Sequence, residues 1–142
     1  MTDVDTTTFE DHLIADMRAH GGAVTKGPLA GHPLLVLTSR GATSGVSRRA
    51  ILTYSRDGDQ YIVAGTAGGA RKDPAWVRNV ISRPDVTVEV DTQTFDAVAD
   101  PVLDGPERDR LWNQHVATLP HFAGYPAQTG RVIPMVRLTL RR

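Results

Sequence analysis

Apolar positions along the chain change period several times, and each change marks an element. Phe9, Leu13, Ile14 and Met17 recur at helical spacing on one face. Thr7 followed by Glu10 reads as a capping box, and Gly21-Gly22 stops the run, so a helix is expected at about residues 8–20. Such a helix either packs on the domain or serves as a lid. The following KGPLAGHP is loop. Residues 34–39 and 48–55 are apolar, β-branched runs that read as strands, and Arg56-Asp57-Gly58-Asp59 reads as a tight turn before a third strand at 60–64.

Further on, GTAGGARKDPAW breaks the strand pattern. Asp73 and Pro74 read as a helix cap followed by the first helical residue, with Trp76, Val77, Val80 and Ile81 on the apolar face until Pro84. DVTVEV alternates with period two, and TQTFDAVADPV supplies another strand after a short turn. Pro106 to Leu119 reads as a helix with Trp112, Val116 and Leu119 on one stripe, and RVIPMVRLTL closes the chain as a strand. About six strands and three helices without regular alternation argue against a doubly wound parallel sheet. A mainly β (α+β) fold is expected: a small antiparallel barrel with helices at its edge.

Length and charge narrow the classes. The 142 residues suit a single domain over 1–142. Sixteen basic and sixteen acidic residues balance, so no global field draws nucleic acid or an anionic membrane. Basic residues are also not interleaved with stacking aromatics, and no nucleic-acid partner is expected. The absence of cysteine excludes disulfides and thiolate chemistry. His12, His20, His32, His115 and His121 form no HExxH or HxxxH pair, so no metal site is expected. No basic region followed by an apolar run opens the chain, and no stretch approaches 18 apolar residues. A cytoplasmic protein is the expectation, without stable membrane insertion. Membrane association of the first helix is the alternative, against which Glu10, Asp11 and Asp16 outnumber Arg18.

Catalytic signatures are sparse. GATSG is not G-x-S-x-G, GTAGGA is not G-x-G-x-x-G, and no P-loop lysine is present. These absences shift weight toward a bound cofactor. Two stretches suit an anion. In LLVLTSRGATSGVSRRAILTY, residues 34–54, Gly41, Gly45, Thr43 and Ser44 can present backbone and hydroxyl donors, with Arg48 reaching back. A solvated hairpin with surface arginines is the other reading. In GTAGGARKDPAW, residues 65–76, Arg71 and Lys72 precede a helix start whose amides favour an anion; a capped helix with flexible glycines is the alternative. Trp76 is either core or the wall of a ring-binding slot, and Phe122 and Tyr125 either line a pocket or plug the barrel end.

Taken in order, LLVLTSRGATSG…R, DG…YIVAGTAGGAxKxPAW, NV…PDVTVEV, ER…LW and TGRxIPMVRL resemble the deazaflavin (coenzyme F420)-dependent nitroreductase family from about Phe9 to Leu140. The resemblance implies a flavin-reductase-like split β-barrel of about six antiparallel strands with flanking helices, as in small actinobacterial proteins that use reduced coenzyme F420. It implies that Ala42–Arg48 and Thr66–Trp76 hold the cofactor's phosphate and oligoglutamate tail. Thr43, Ser44, Gly45, Arg48, Ala64, Thr66, Ala67, Ala75 and Trp76 occupy the matching positions, with Lys72 also on the motif. Thr53, Phe122 and Tyr125 are implied at the substrate pocket. Two departures stand out. Ala42-Thr43 replaces the usual Arg-Lys, and Thr66-Ala67 the usual Ser-Lys. Each lost charge-assisted contact costs about 1.5–3 kcal/mol if desolvated, with Arg40, Arg48, Arg49, Arg71 and Lys72 placed to compensate in part. Phe122 stands where the nitroreductase branch has a tyrosine that assists proton delivery, and Tyr125 matches a second pocket tyrosine.

The implied activity is hydride transfer from reduced coenzyme F420 to a small electrophile: a quinone, an enone or a nitro compound. Thr66 would hydrogen-bond the acceptor oxygen, and Tyr125, or water, would deliver the proton. Nitroimidazole turnover is expected to be weak. The alternatives are a non-catalytic carrier of the deazaflavin or an apolar ligand, and a reductase of the same fold that uses flavin mononucleotide (FMN). The protein is expected as a monomer or homodimer.

Overall fold

The computed structural model describes residues 9–25 and 30–141. Thr7, and with it the proposed capping box, lies outside them, as do residues 26–29 of the first loop. The elements run α1 (Phe9–Ala19), β1 (Leu34–Arg40), β2 (Ser47–Thr53), β3 (Ser55–Asp57), β4 (Gln60–Ala64), α2 (Ala75–Ser82), β5 (Asp85–Val90), β6 (Gln93–Val102), α3 (Gly105–Thr118), α4 (Tyr125–Thr129) and β7 (Met135–Leu140). Short 3₁₀ turns occupy Ala67–Gly69 and Pro120–Gly124.

All seven strands join one sheet in the order β2-β1-β5-β6-β7-β4-β3, with antiparallel pairing throughout. Its two outermost strands, β2 and β3, are separated in sequence by Tyr54 alone. In a flat sheet, six strand spacings of about 4.8 Å would put those edges about 29 Å apart. The two residue steps from Thr53 to Ser55 span only about 7 Å, so the sheet must curl until its edges come together there. A split barrel follows from that single link.

Leu35, Leu37, Val63, Val77, Val88 and Leu138 fill the main core. A second cluster, Ile62, Leu111, Leu119, Phe122, Ile133 and Met135, seats α3 against the sheet. Ile14 and Met17 of α1 pack on Val24, Leu34 and Val36, so α1 rests on the body of the barrel. Gly21 and Gly22 end α1 with φ of +69° and +98°, a reversal that suits glycine. Arg18 then grips Glu89 on β5 through two hydrogen bonds of 2.9 and 2.8 Å. On the opposite flank, Arg110 and Arg137 hold the Glu107 carboxyl down to about 2; Arg110 also reaches Asp57 of β3, and Arg137 is itself on β7.

Several boundaries differ from expectation. The run 48–55 is two strands: the Tyr54 N–H to Pro33 O bond of 3.1 Å ends the pairing with β1, and Ser55 begins pairing with β4. Seven strands therefore replace about six. Arg56 and Asp57 belong to β3, leaving Gly58 (φ +61°) at the turn. Helix α2 starts one residue later than read: extended Pro74 is its cap residue, and the Asp73 carboxylate turns to Arg131 at 2.6 Å. Its buried arc is Trp76, Val77, Val80 and Asn79, whereas Ile81 is half-exposed. Strand β7 begins only at Met135, since Pro134 has no N–H for a ladder. Helix α3 buries Arg108, Leu111 and His115, with Trp112 and Val116 at its margin. The segment read as a connection contains the second 3₁₀ turn and α4, too short for a periodic signal.

Candidate active site

Two cavities open side by side on one flank of the barrel. One, of about 450 Å³, is bordered by Thr53, Ala64, Thr66, Ala67, Phe122 and Tyr125, together with His32 and His121. The other, of about 440 Å³, is bordered by Thr43, Ser44, Arg48, Arg49, Ala75 and Arg78. Trp76 lines both. Placed in the first turn of α2, its indole stands where the cavities meet while remaining within the core cluster. Trp76 is thus at once a core residue and a wall of each cavity.

The loop between β1 and β2 is more tightly organised than a solvated hairpin. Gly41 N–H donates to Val46 O and Gly45 N–H to Gly41 O, both at 2.8 Å. Val46 N–H donates to Ser44 Oγ, and Ala42 N–H to the buried Asn79 Oδ1 at 3.0 Å. The glycine amides thus close the loop instead of facing a ligand, contrary to the nest expected from the sequence. The amides of Thr43 and Ser44 meet no acceptor among the described residues. Gly45 turns the chain at φ +73°, beside the Arg83 guanidinium. Arg48 and Arg78 are exposed and form no ion pair among the described residues, whereas Arg49 pairs with Asp11. Arg78 and Arg83 were missed in the sequence because they lie on and just after the helix that seats the loop, more than 30 residues from it.

Across the groove, the segment 65–74 is clamped from the far end of the chain. Arg131 donates to Thr66 O at 2.9 Å, to Ala70 O at 3.1 Å and to Asp73. Thr129 Oγ1 adds a bond to Ala70 O. Within the segment Ala67 holds φ +50°, a left-handed conformation uncommon outside glycine. Lys72 is exposed and borders a separate depression with Arg78 and Ile81, outside both cavities. Arg131 lies in the TGRxIPMVRL motif, but no role for it was legible there, because the carbonyls it holds are about 60 residues away.

Aromatic rings build the wall of the first cavity. Phe122 is buried, with ring centroids 4.5 Å from His115, 4.7 Å from His121 and 5.3 Å from Tyr125. His32 lies 5.0 Å from His121. Burial, and secondarily His32, hold the His121 imidazole below its ordinary value; burial pushes His115 down to about 4. Both pocket histidines escaped the motif search, since 89 residues separate them.

The sequence model of the F420H(2)-dependent quinone reductases matches residues 12–139. The chain belongs to this family. It is 37% identical over 113 residues to the F420H(2)-dependent quinone reductase Rv1261c of Mycobacterium tuberculosis, covering 77% of this chain and 74% of that protein. Among solved structures, an F420-H2 dependent reductase (FDR-A) superposes with a TM-score of 0.67 at 30% identity, over 75% of this chain and 94% of the other. A structure described as a domain-swapped dimer gives a TM-score of 0.69 at 27% identity, over 93% and 100%. This member of the F420H(2)-dependent quinone reductases is thus a split-barrel oxidoreductase whose cofactor is coenzyme F420. No helix among its described residues is long and apolar enough to cross a membrane.

Proposed function

We propose that the chain reduces quinone-type acceptors, with activated enones and nitro compounds as further candidates, in the cavity bordered by Thr53, Phe122 and Tyr125. The observation that carries this reading is the meeting of two unlike cavities at Trp76. One is walled by aromatic rings and neutral side chains, the other carries Arg48 and Arg78 without acidic partners. Coenzyme F420 has the same division, a flat tricyclic ring joined to an anionic phosphate and glutamate tail, and the residues present fit it.

On this reading Thr43, Ser44 and Arg48 take the phosphate, helped by Arg78, while Gly45 shapes the turn that presents them and Ala75 leaves room beside it. Ala64, Thr66, Ala67 and Trp76 border the ring, where small side chains leave room for a planar system. Lys72 serves only the outer end of the tail. When bound in reduced form, the cofactor supplies the hydride. The protein's part is to align acceptor and ring and to exclude water, a contribution made by the Trp76 and Phe122 walls. Thr66 Oγ1 and the Tyr125 hydroxyl are the neutral donors available to an acceptor oxygen. Phe122 offers none, so nitroimidazole turnover is expected to be weak.

A fluorescence titration with coenzyme F420, with FMN alongside, followed by steady-state assays on quinones, tests the reading. Saturable binding of the deazaflavin and quinone-dependent oxidation of its reduced form are expected. Preference for FMN would replace the cofactor. Binding without turnover across quinones, enones and nitro compounds would make the chain a carrier.

A further inference from the structure

Two imidazoles stand on the acceptor side of the groove without a task in this reading. His121 belongs to the 3₁₀ turn after α3, and His32 immediately precedes β1. Their rings lie 5.0 Å apart, and both border the cavity that Thr66 and Tyr125 also face. Phe122 supports the His121 ring from behind at 4.7 Å and is itself wedged between His115 and Tyr125. The imidazole is thus held against a buried aromatic prop while remaining open to the cavity.

We propose that His121, itself exposed to solvent and with His32 beside it, donates the proton that completes reduction of the acceptor. This rests on the reading that the cavity receives a quinone-like molecule. Conversion of a quinone to a hydroquinone takes two electrons and two hydrogens. A hydride, furnished by the reduced coenzyme, brings both electrons and one hydrogen. The N–H bond of the His121 imidazolium breaks to place the second hydrogen on the quinone oxygen. Neutral imidazole remains, and it recovers a proton from water.

The surroundings suit that exchange. Among the described residues, the ionisable groups facing His121 are His32 from the segment before β1, His115 from α3 and Tyr125 from α4, and no carboxylate borders the cavity. No described anion pins the imidazolium, and burial with His32 lowers its hold on the proton. An imidazolium is also a much stronger acid than a phenol, which favours His121 over Tyr125 as the source.

The experiment compares wild type, His121→Gln and His32→Gln in two ways: kcat against pH with reduced coenzyme F420 and menadione, and an NMR titration of the imidazole C2–H signals in the cofactor-free protein. Wild-type kcat is expected to fall as pH rises through the His121 titration. His121→Gln should lower kcat about 100-fold, leave KM within a few-fold and abolish that fall. In the NMR titration His121 should move upward when His32 is replaced. A His121→Gln variant within threefold of wild type and with the same pH profile would overturn the proposal, as would a His121 signal indifferent to His32. If His121→Gln folds poorly, the wild-type data decide: a kinetic limb that does not coincide with the His121 titration overturns it. Wild type that binds the coenzyme but turns over no quinone would instead defeat the reading of function, and the proposal with it.

Discussion

The Ser55 hydroxyl lies 2.6 Å from Nδ1 of His115, and both side chains are buried. Nε2 of the same ring meets no hydrogen-bond partner among the described residues. Protonation would therefore place a charge, and a second donor, in an apolar site between α3 and Phe122, which is why the imidazole is pushed down to about 4.

That depression has a sign for stability. Between the unfolded value near 6.5 and the folded value, the unfolded chain binds more protons. The contribution is complete above pH 6.5 and is lost as pH falls toward 4. From pH 7.5 to 4.5 the loss attributable to His115 is on the order of 2–3 kcal/mol. Urea denaturation at both pH values should show wild type losing more stability than His115→Gln by roughly that amount.

Gly65 leaves no room for a side chain. A Cβ there would lie 2.7 Å from Val77 Cγ2 and 2.8 Å from Pro134 Cγ. Both neighbours are held, one by α2 and the other by its ring and by the Gly65 N–H to Pro134 O bond. Gly65→Ala is expected to cost about 1–3 kcal/mol, read as a lower urea midpoint with an unchanged slope.

The turn between β5 and β6 places Asp91 and Thr92 at φ of +52° and +66°. A two-residue hairpin of this hand prefers Asn-Gly or Asp-Gly, and a β-branched residue is strained there. Thr92→Gly should stabilise the protein by about 0.5–1 kcal/mol, visible as a raised thermal midpoint.

Arg48 and Arg78 border the second cavity without acidic partners among the described residues. Replacing either by Ala should raise the Kd for coenzyme F420 about tenfold. The remaining binding should depend less on salt. Thr43→Lys, which restores a cation to the loop, should tighten binding in the same titration.

Phe122→Tyr would bring a hydroxyl to the ring cluster that already holds His115, His121 and Tyr125. A several-fold gain in nitro-compound turnover is expected. An unchanged rate in the same assay would mean that this position does not face the acceptor.

Much of the fold was legible because it is local. Helix α1 announces itself through Ile14, Met17 and the terminal glycines, and β5 through strict alternation. Each signal lies within one element. The errors came where a distant group decided the boundary. At Tyr54 the chain passes from pairing with β1 to pairing with β4, Asp73 leaves its capping role for Arg131, and the arc of α2 rotates toward Asn79, which receives the amide of Ala42. The positions matched by resemblance fared alike: most border the two cavities, while Lys72 faces outward.

The amino-acid sequence by itself determined most of the longer elements, the absence of cysteine chemistry and the family to which the chain belongs, since all of these are written in short-range order. Tertiary structure alone decided that β2 and β3 close the sheet around one residue. It decided too that one indole separates two cavities, and that His32 and His121 meet. The reason is physical. Periodicity reports which face of an element avoids water, but not which other element will cover it. That choice depends on the curl of the whole sheet, and here the short link at Tyr54 imposes it.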